Sequence, residues 1–402
     1  MFDVAVVGAG PSGSLSAYRL AREGVRVAIF DAKEFPREKA CGGGLQQRAT
    51  ARIPCEWQST VRGALRNVDF SYGLSDRFSR SYPETLVYGV LRSEFDQHLL
   101  EAAMRAGARF HGGVRTERVE SGANGALVLR ASSGDFRARF VLGADGANSV
   151  VNQALNSRDS YFWQAAIYCE IPRELTNNGR IDPSAMRIDW GSLPSGYAWV
   201  FPKRGSVNVG VGGPVSVGRM LRPYLRHFLI AEGLLSAGAL DKLRFTGHKL
   251  PTLTKNTRLA GERILLVGDA AGLVEPLTGE GISYACHSAE LASRAVLDCL
   301  RGNAENLSAY ADAVREEIGR DIFWARRILS YGVVFPRALY ELFERNEEVW
   351  NAFCRLLRGE GTFYELRSRI FGRFGWCSAP LQMLVEQFEK LKVRSALAGQ
   401  PT

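Results

Sequence analysis

The sequence predicts an α/β protein in three parts: a parallel-sheet domain, an antiparallel-sheet domain and a helical C-terminal region. Short apolar runs typical of buried strands occur at residues 4–7, 140–142 and 264–267. Residues 155–255 show alternating short strands with Pro and Gly turns, and the chain beyond residue 310 has helical spacing. The predicted domains are residues 1–154 with 256–310, residues 155–255 as a substrate domain that part of 50–90 can join, and residues 311–402.

Composition and charge restrict the class of protein. The chain has 402 residues, of which 46% are hydrophobic, and this suits a folded protein with more than one domain. Its net charge is +9, with 43 Arg and 8 Lys, but the basic residues form no block typical of a nucleic-acid arm. We therefore expect no nucleic-acid partner. A weakly basic face toward anionic lipid or an acidic cofactor is the simpler interpretation.

The cysteines and the start of the sequence bear on compartment. The cysteines are odd in number and widely spaced, without a Cys-x-x-Cys pair, which argues against a disulfide framework or a metal site. No signal-peptide pattern opens the sequence, and no run of about 18 apolar residues occurs. We expect a cytoplasmic protein, with peripheral contact at the cytoplasmic membrane face as a further expectation. The cysteines are Cys41, Cys55, Cys169, Cys286, Cys299, Cys354 and Cys377.

A glycine-rich turn follows the first apolar run. In this Gly-x-Gly-x-x-Gly pattern, Gly8 permits a tight turn, Gly10 lets the backbone approach a pyrophosphate, and Gly13 lets a helix pack against the strand. A helical pattern and a second strand follow, and Asp31 ends that strand where an acid can bind a ribose diol. This order is the Rossmann-type fingerprint and predicts dinucleotide binding. The predicted contacts are Gly8, Gly10, Pro11, Ser12, Gly13, Asp31 and Ala32.

Two later strand ends also carry carboxylates. The run at 140–142 leads to Asp145, and the run at 264–267 leads to Gly268 and Asp269. Strand ends distributed from residue 8 to residue 269 suit a long ligand such as FAD better than NAD in one compact half. A Gly/Pro/Thr-rich segment then precedes a helix that begins near Ile282. We expect its bare N-terminus to attract an anion or an electron-rich ring edge.

Together, these three elements resemble the FAD-dependent family typified by aromatic hydroxylases. The resemblance implies that Asp269 binds the ribityl chain and that Gly279, Gly281 and Ile282 approach the pyrimidine side of the flavin. It also implies that Arg92, near the start of a helix, pairs with the FAD pyrophosphate. A solvated surface arginine is the alternative reading of Arg92. Residues 109–115 are predicted to form a strand at the outer edge of the sheet, where Val114 contacts adenine through its backbone.

The segment from Lys39 to Gly44 contains Cys41 and three successive glycines. Such a run disfavours both helix and strand, so it predicts a loop whose backbone passes something bulky. One interpretation is close approach to the flavin by Lys39, Gly42 and Gly43, with Cys41 at the reacting face. A flexible loop with a stray thiol is the other.

An aromatic run occurs in the predicted antiparallel domain. Strand alternation places Tyr197, Trp199 and Phe201, which precede Pro202, on one face of a sheet. These rings can form the apolar wall of a cavity or belong to an ordinary core.

In combination, the cysteine–glycine loop, the aromatic run and the segment 268–281 resemble the geranylgeranyl reductase family over residues 1–310. The resemblance implies FAD-dependent saturation of carbon–carbon double bonds in an isoprenoid chain of a prenyl lipid, a quinone or a tetrapyrrole-type substrate. It implies that Tyr197, Trp199, Phe201 and Pro202 line the lipid cavity and that Cys41 lies beside the flavin. Cys41 is then a candidate proton donor, with an ordered water as the alternative. Since no second Gly-x-Gly-x-x-Gly follows a strand, NADPH without its own domain or reduced ferredoxin could supply electrons.

Two rival functions share the FAD elements. A flavin-dependent monooxygenase is one, either a hydroxylase or a halogenase. Halogenases of this fold carry Trp-x-Trp-x-Ile where this chain has Tyr-x-Trp-x-Phe-Pro, which disfavours them, whereas a hydroxylase stays open. A flavoprotein that only carries or senses a prenyl lipid is the non-enzymatic rival.

The C-terminal region is predicted to be helical, with one helix over 307–327 and an apolar, aromatic stretch that Pro336 splits in two. Arg326, Arg327, Arg337 and Arg345 border its apolar residues. This composition suits a lid over a lipid channel or a membrane-surface face. Packing against the main domain is the alternative.

Overall fold

The computed structural model of the protein describes residues 1–122, 125–156, 160–236 and 238–371. Cys377 and the end of the predicted helical region lie outside these residues. The strands are β1 (Phe2–Val7), β2 (Val27–Phe30), β3 (Gly44–Gln46), β4 (Val61–Leu65), β5 (Asn67–Tyr72), β6 (Asp76–Ser81), β7 (Val87–Val90), β8 (Arg109–His111), β9 (Thr116–Ser121), β10 (Leu127–Ala131), β11 (Gly134–Gly143), β12 (Tyr161–Pro172), β13 (Ala185–Trp190), β14 (Tyr197–Lys203), β15 (Ser206–Pro214), β16 (Thr246–Leu253) and β17 (Ile264–Leu266).

The helices lie around these strands. Short 3₁₀ turns at Gly146–Asn148 and Gly268–Ala271 follow β11 and β17, and a π-helical segment, Val314–Gly319, joins two of the helices. The helices are α1 (Pro11–Arg22), α2 (Gln47–Thr50), α3 (Arg92–Arg105), α4 (Val150–Gln153), α5 (Gly218–Ala231), α6 (Ile282–Leu300), α7 (Ser308–Ala313), α8 (Arg320–Val334), α9 (Pro336–Arg345), α10 (Glu347–Arg358) and α11 (Phe363–Phe371).

The first sheet has the order β8-β2-β1-β11-β10-β9, with β17 also paired to β11. Strand β1 pairs in parallel with β2 and β11, while the first half of β11 pairs antiparallel with β10. Its central strands are apolar without alternation because both of their faces are buried. The predicted α/β class is confirmed. β8 is the expected edge strand, but it ends at His111 because Gly113, with φ +66°, turns the chain away and leaves Val114 in a loop.

The second sheet has the order β16-β12-β15-β14-β13-β5-β6. Its pairs are antiparallel except β13–β5. β5 and β6 come from the part of 50–90 that the sequence allowed to join this domain. Alternate residues of β14 serve two cores: Val200 clusters with α5 on one face, and Phe201 packs with the C-terminal helices on the other. A small third sheet has the order β3-β7-β4.

The C-terminal helices cover the second face of this sheet. α8 ends one residue before Phe335 and α9 begins at Pro336, so the predicted split is confirmed. The buried side chains of Tyr340, Phe343 and Trp350 pack against β5, β6 and β13. Arg337 forms an ion pair with Asp76 of β6, which fixes α9 to the sheet edge. The helical region therefore packs on the second sheet, as one of the two interpretations expected.

The other arginines singled out there have varied surroundings. Arg326 stacks over Phe162 at 4.6 Å, and Arg327 stacks over Phe323 at 4.6 Å. Arg345 lies 3.5 Å from its neighbour Glu344.

A buried carboxylate, Asp321 of α8, joins the helical region to the first domain. Its Oδ2 accepts a hydrogen bond from the Tyr284 hydroxyl of α6 at 3.0 Å and from Arg48 of α2 at 3.2 Å. Its Oδ1 accepts one from the backbone N–H of Phe363, the first residue of α11, at 2.7 Å. One side chain thus connects four helices. In the described residues, no helix combines the length and apolarity needed to cross a bilayer.

Candidate active site

A cavity of about 630 Å³ lies between the two large sheets and the C-terminal helices. Its charged lining is concentrated at the end formed by β1, β2, β11 and the loops that follow them. Its other end is lined by apolar residues of β5, β13 and helices α8 to α10. The aromatic run of β14 lies between the two ends.

The β1–α1 turn forms one wall of the charged end. A Cβ at Gly8, whose φ is +101°, would lie 2.3 Å from the Ala144 carbonyl oxygen, so the tight turn requires glycine. A Cβ at Gly13 would lie 1.9 Å from the Gly8 oxygen, so this glycine allows the helix to approach the turn. A Cβ at Gly10 would meet only Arg37, whose Nη2 would lie 3.7 Å away, and Gly10 lines the cavity with Pro11 and Ser12. Gly13 itself does not line the cavity.

Two carboxylates and two arginines lie beside that turn. Asp31 Oδ2 accepts a hydrogen bond from the Ala9 N–H at 2.9 Å and, like Ala32, lines the cavity. Asp96, fully buried, binds Arg92 through two 2.7 Å hydrogen bonds and lies 3.2 Å from Arg37. Burial opposes the charge of Arg92, but Asp96 outweighs it and raises the pKa of Arg92. Arg92 is therefore a buried cation at the cavity and not a solvated surface arginine.

Asp145, at the end of β11, presents an unpaired oxygen. Its Oδ2 accepts a hydrogen bond from the Val150 N–H at 2.7 Å and caps α4. Its Oδ1 is buried and has no hydrogen-bond partner among the described residues. Burial accordingly raises the pKa of Asp145. A ligand hydroxyl or N–H at this end of the cavity, which Val114 also lines, would satisfy that oxygen.

The cysteine–glycine loop passes directly over the aromatic run. A Cβ at Gly42 would lie 3.2 Å from the Phe201 ring and from Trp199 Nε1, and one at Gly43, whose φ is +69°, would lie 2.2 Å from the Val90 carbonyl oxygen. The bulky groups that require glycine are thus protein side chains and backbone. The expectation that the glycine run excludes strand was wrong at Gly44, which begins β3. Cys41 lines the cavity, and its Sγ accepts a hydrogen bond from the Gly43 N–H at 3.3 Å.

Lys39 meets a residue that sequence reasoning missed. Its Nζ lies 2.8 Å from Nε2 of His248 in β16, and both side chains line the cavity. Burial and the neighbouring Lys39 cation lower the pKa of His248 to about 4, so the neutral imidazole accepts the hydrogen bond. Burial also lowers the pKa of Lys39, against the attraction of Asp269. An isolated histidine in an alternating strand carries no signal that marks such a pairing.

The segment 268–282 closes the charged end. Asp269 faces the cavity, whereas Gly268 does not line it and packs with φ +56° where a Cβ would lie 2.8 Å from Ser12 Oγ. Gly279, Gly281 and Ile282 line the cavity at the start of α6. The predicted bare N-terminus is corrected here, since the buried Glu280 accepts a hydrogen bond from the Ser283 N–H at 2.7 Å. Burial raises the pKa of Glu280.

The aromatic run lines the middle of the cavity, and each polar ring atom has a partner. The Tyr197 hydroxyl donates to the Thr278 carbonyl, and Trp199 Nε1 donates to Asn208 Oδ1 at 2.8 Å. The ring centroid of Trp199 lies 5.9 Å from that of Tyr197 and 6.3 Å from that of Phe201. Pro202 was expected to line the cavity, but strand alternation turns it to the opposite face. Its carbonyl there faces Gly63 and Gly89 of the third sheet.

A buried polar network holds Trp199 and the cysteine loop together. Asn208 accepts the Trp199 hydrogen bond through Oδ1. Its Nδ2 donates to the Glu170 carboxylate at 2.8 Å and to the Cys41 carbonyl oxygen at 3.5 Å. Lys203 Nζ, with a side chain only 2% exposed, forms an ion pair with Glu170 at 3.1 Å. Residues of β12, β14 and β15 thereby position the aromatic wall against Cys41. The sequence pattern marks none of these polar residues, because their pairing depends on strand register.

The apolar end of the cavity extends beneath the C-terminal helices. Ile188 and Trp190 of β13 and Val68 and Phe70 of β5 form its sheet side. No charged side chain of the described residues lines this end. The helix side is formed by Ile328, Leu339, Phe343, Phe353 and Leu357.

The charged end fits FAD on its own chemistry. Gly10 leaves backbone exposed beside two buried arginines, which suits a pyrophosphate, and Asp145 supplies an unsatisfied acceptor. Consistent with this fit, a family model described as FAD binding domain matches residues 1–161.

Two relatives match most of the chain. The menaquinone reductase of Mycolicibacterium smegmatis is 32% identical, with 84% of this chain and 86% of that protein covered. The digeranylgeranylglycerophospholipid reductase 3 of Methanosphaera stadtmanae is 28% identical, with 79% of this chain and 83% of that protein covered.

Two solved structures share the fold. A geranylgeranyl bacteriochlorophyll reductase-like protein from Thermoplasma acidophilum has a TM-score of 0.71 at 21% identity, with 94% of this chain and 99% of that chain covered. A flavin-dependent brominase has a TM-score of 0.69 at 16% identity, with coverages of 97% and 99%. At these identities the likeness shows the fold alone. On the FAD-domain match and the extent of the reductase relatives, this chain belongs to the geranylgeranyl reductase family of FAD-dependent oxidoreductases.

Proposed function

We propose that this protein saturates carbon–carbon double bonds in the isoprenoid chain of a lipid, a quinone or a tetrapyrrole-type molecule. The observation that carries the proposal is the continuous cavity, which joins a charged, glycine-lined end to an apolar end through the aromatic run. The two relatives, a menaquinone reductase and a digeranylgeranylglycerophospholipid reductase, support the same substrate class.

The proposed cofactor contacts lie at the charged end. FAD, when bound, supplies the hydride that no protein side chain can donate. Arg92 and the turn backbone would hold its phosphates, while Asp31 and Asp145 accept hydrogen bonds from its hydroxyls or ring. Gly13 and Gly268 shape the turns behind the lining and are not proposed as direct contacts. The proposed contacts, all of which line the cavity, are Gly8, Gly10, Pro11, Ser12, Asp31, Ala32, Lys39, Cys41, Gly42, Gly43, Arg92, Val114, Asp145, Asp269, Gly279, Gly281 and Ile282.

Tyr197 and Trp199 have a proposed role beyond shaping the cavity. An isolated alkene is a poor hydride acceptor, so protonation of one carbon should lead and leave positive character on the other. Aromatic faces attract cations by about 0.5–2 kcal/mol, depending on desolvation. Because hydrogen bonds to Thr278 and Asn208 fix both rings, their faces are already oriented when the chain binds.

Cys41 is the proposed proton donor, because it lines the cavity beside the aromatic run. A Cys41→Ala variant should then lose chain reduction while it retains FAD. Undiminished reduction would remove the thiol from the mechanism and leave an ordered water as the donor.

The test of the reaction is an anaerobic incubation of reduced, FAD-loaded protein with isoprenoid alcohols and prenylated quinones. We expect a mass gain of two hydrogens per bond, absent from a control with reduced FAD alone. Binding without any mass gain would identify a carrier instead. An oxygenated product that forms only in air would identify a monooxygenase. Repeating the reaction with NADPH or with reduced ferredoxin as the sole reductant identifies the electron donor.

We also propose that the helical region contacts an anionic membrane surface from which such substrates are drawn. Phe323 of α8 and Tyr364 of α11 are 48% and 44% exposed, and Arg367 stacks over the Tyr364 ring at 4.4 Å. Aromatic rings flanked by arginines suit a lipid headgroup layer. Replacing both rings with serine should reduce sedimentation with phosphatidylglycerol vesicles. Ile230→Ser on α5, exposed on the other face of the sheet, should not, and equal loss in both proteins would contradict this proposal.

A further inference from the structure

The apolar end of the cavity follows one row of side chains across the second sheet. Strand register places Trp199 of β14 opposite Ile188 of β13, Ile188 opposite Phe70 of β5, and Phe70 opposite Phe78 of β6. Trp199, Ile188 and Phe70 line the cavity, whereas Phe78 does not. With strands about 4.8 Å apart, the space therefore extends about 10 Å from β14 and stops at Phe70.

Phe70 is held firmly from behind. It is 2% exposed and stacks on Phe78 with ring centroids 4.8 Å apart. Phe78 in turn meets Tyr340 of α9 at 5.0 Å. These layers leave no route for a chain to continue across β6, because interior side chains pack at near-crystalline density.

Further aromatic rings surround Phe70. Trp190 lies 5.3 Å from Phe70, Phe343 lies 6.0 Å from it, and the same two rings lie 5.6 Å from each other. Phe353 continues the contact from Phe343 at 5.2 Å. Because this end carries no charged lining, it suits the hydrocarbon tail of a substrate and not a polar head group.

We propose that Phe70, supported by Trp190 and Phe343, is the end wall that sets how far an isoprenoid tail extends beyond Trp199. This inference rests on the proposed function and names a specificity-determining residue within it. A tail that enters first and reaches the wall fixes which double bond lies beside Cys41 and Trp199. Phe70 therefore selects the bond that is reduced, counted from the tail.

The experiment compares Phe70→Ala and Phe70→Leu with wild type and with Phe228→Ala. The control removes a buried ring of α5 from the opposite face of the same sheet, away from the cavity. Phe70→Leu keeps an apolar side chain of intermediate size, so a fold is retained if the alanine variant is unstable. Binding of fully saturated isoprenoid alcohols of increasing length, followed by tryptophan fluorescence, requires no reaction.

In wild type and Phe228→Ala, affinity should rise with chain length and stop rising once the tail reaches Phe70. In Phe70→Ala the rise should continue for a further isoprene unit, by at least about tenfold. Fragmentation mass spectrometry of the reduced products should show the saturated bond moved toward the head group. The same limiting length in all proteins, or no binding of saturated chains, would overturn the inference. If wild type binds saturated chains with a length limit that Phe70→Ala extends, but reduces no double bond of an unsaturated chain, the proposed reaction fails and the end wall stands.

Discussion

The ion pair between Lys203 and Glu170 is asymmetric in its burial, and this asymmetry predicts unequal effects of removing either partner. The Lys203 side chain is 2% exposed, while that of Glu170 is 31% exposed. Glu170 also accepts hydrogen bonds from Ser206 at 2.5 Å and from Asn208 at 2.8 Å. Only the carboxylate therefore keeps partners and water when its counterion is lost.

The expected magnitudes follow from what each variant leaves behind. Glu170→Gln leaves a buried ammonium without a counter-charge, which costs about 3–5 kcal/mol. Lys203→Met leaves a carboxylate that is partly solvated and still hydrogen-bonded, at a cost of about 1–2 kcal/mol. The glutamine variant should therefore be less stable than the methionine variant by at least about 1 kcal/mol.

Urea denaturation of the FAD-loaded proteins, followed by circular dichroism, measures the difference. Since Asn208 connects Glu170 to Trp199 and to the Cys41 carbonyl, Glu170→Gln should also reduce the rate of chain reduction. Equal stabilities, or a methionine variant that is the less stable of the two, would refute this reading of the network.

Three other predictions concern the charged end and the loop. Glu275 lies in the segment 268–282 that closes the charged end. Burial raises the pKa of Glu275 to about 7 from 4.5, so between these pH values the folded state holds a proton that the unfolded chain releases. The free energy of unfolding should fall by up to about 3 kcal/mol as pH rises from 4.5 to 7, and Glu275→Gln should remove this fall in pH-dependent denaturation. Asp145→Ala should weaken FAD binding at least about tenfold in a fluorescence titration, while Asp135→Ala, which removes an exposed carboxylate at the other end of β11, should not. Gly42→Ala should slow reduction at least about tenfold, because its Cβ meets Phe201 and Trp199 at 3.2 Å. Gly218→Ala, which meets nothing within 4 Å, should leave the rate unchanged.

Local patterns predicted the first domain well. The turn at Gly8–Gly13 and the edge strand β8 depend on short-range spacing, and the structure has both. Alternation along β14 likewise predicted that Tyr197, Trp199 and Phe201 share a face. The same rule, applied consistently, excludes Pro202 from that face.

Contacts between residues far apart in the sequence were not predicted. His248 reaches Lys39 across 209 positions of sequence, and Asn208 reaches Cys41 across 167. Arg37, beside Asp96, lies in a stretch whose residues show no period. Such contacts depend on how the two sheets pack together, which no window of sequence contains.

The hydrogen bonds of Asp321 connect the start of α6, at the cavity, to the helices that cover the second sheet. α6 begins at the cavity with Ile282, and its Tyr284 holds the carboxylate that also anchors α11 through Phe363. A ligand that orders the first turn of α6 should therefore also order the start of α11, because Asp321 is hydrogen-bonded to both helices. We expect occupancy of the cavity to stabilise the start of α11, which does not line the cavity itself.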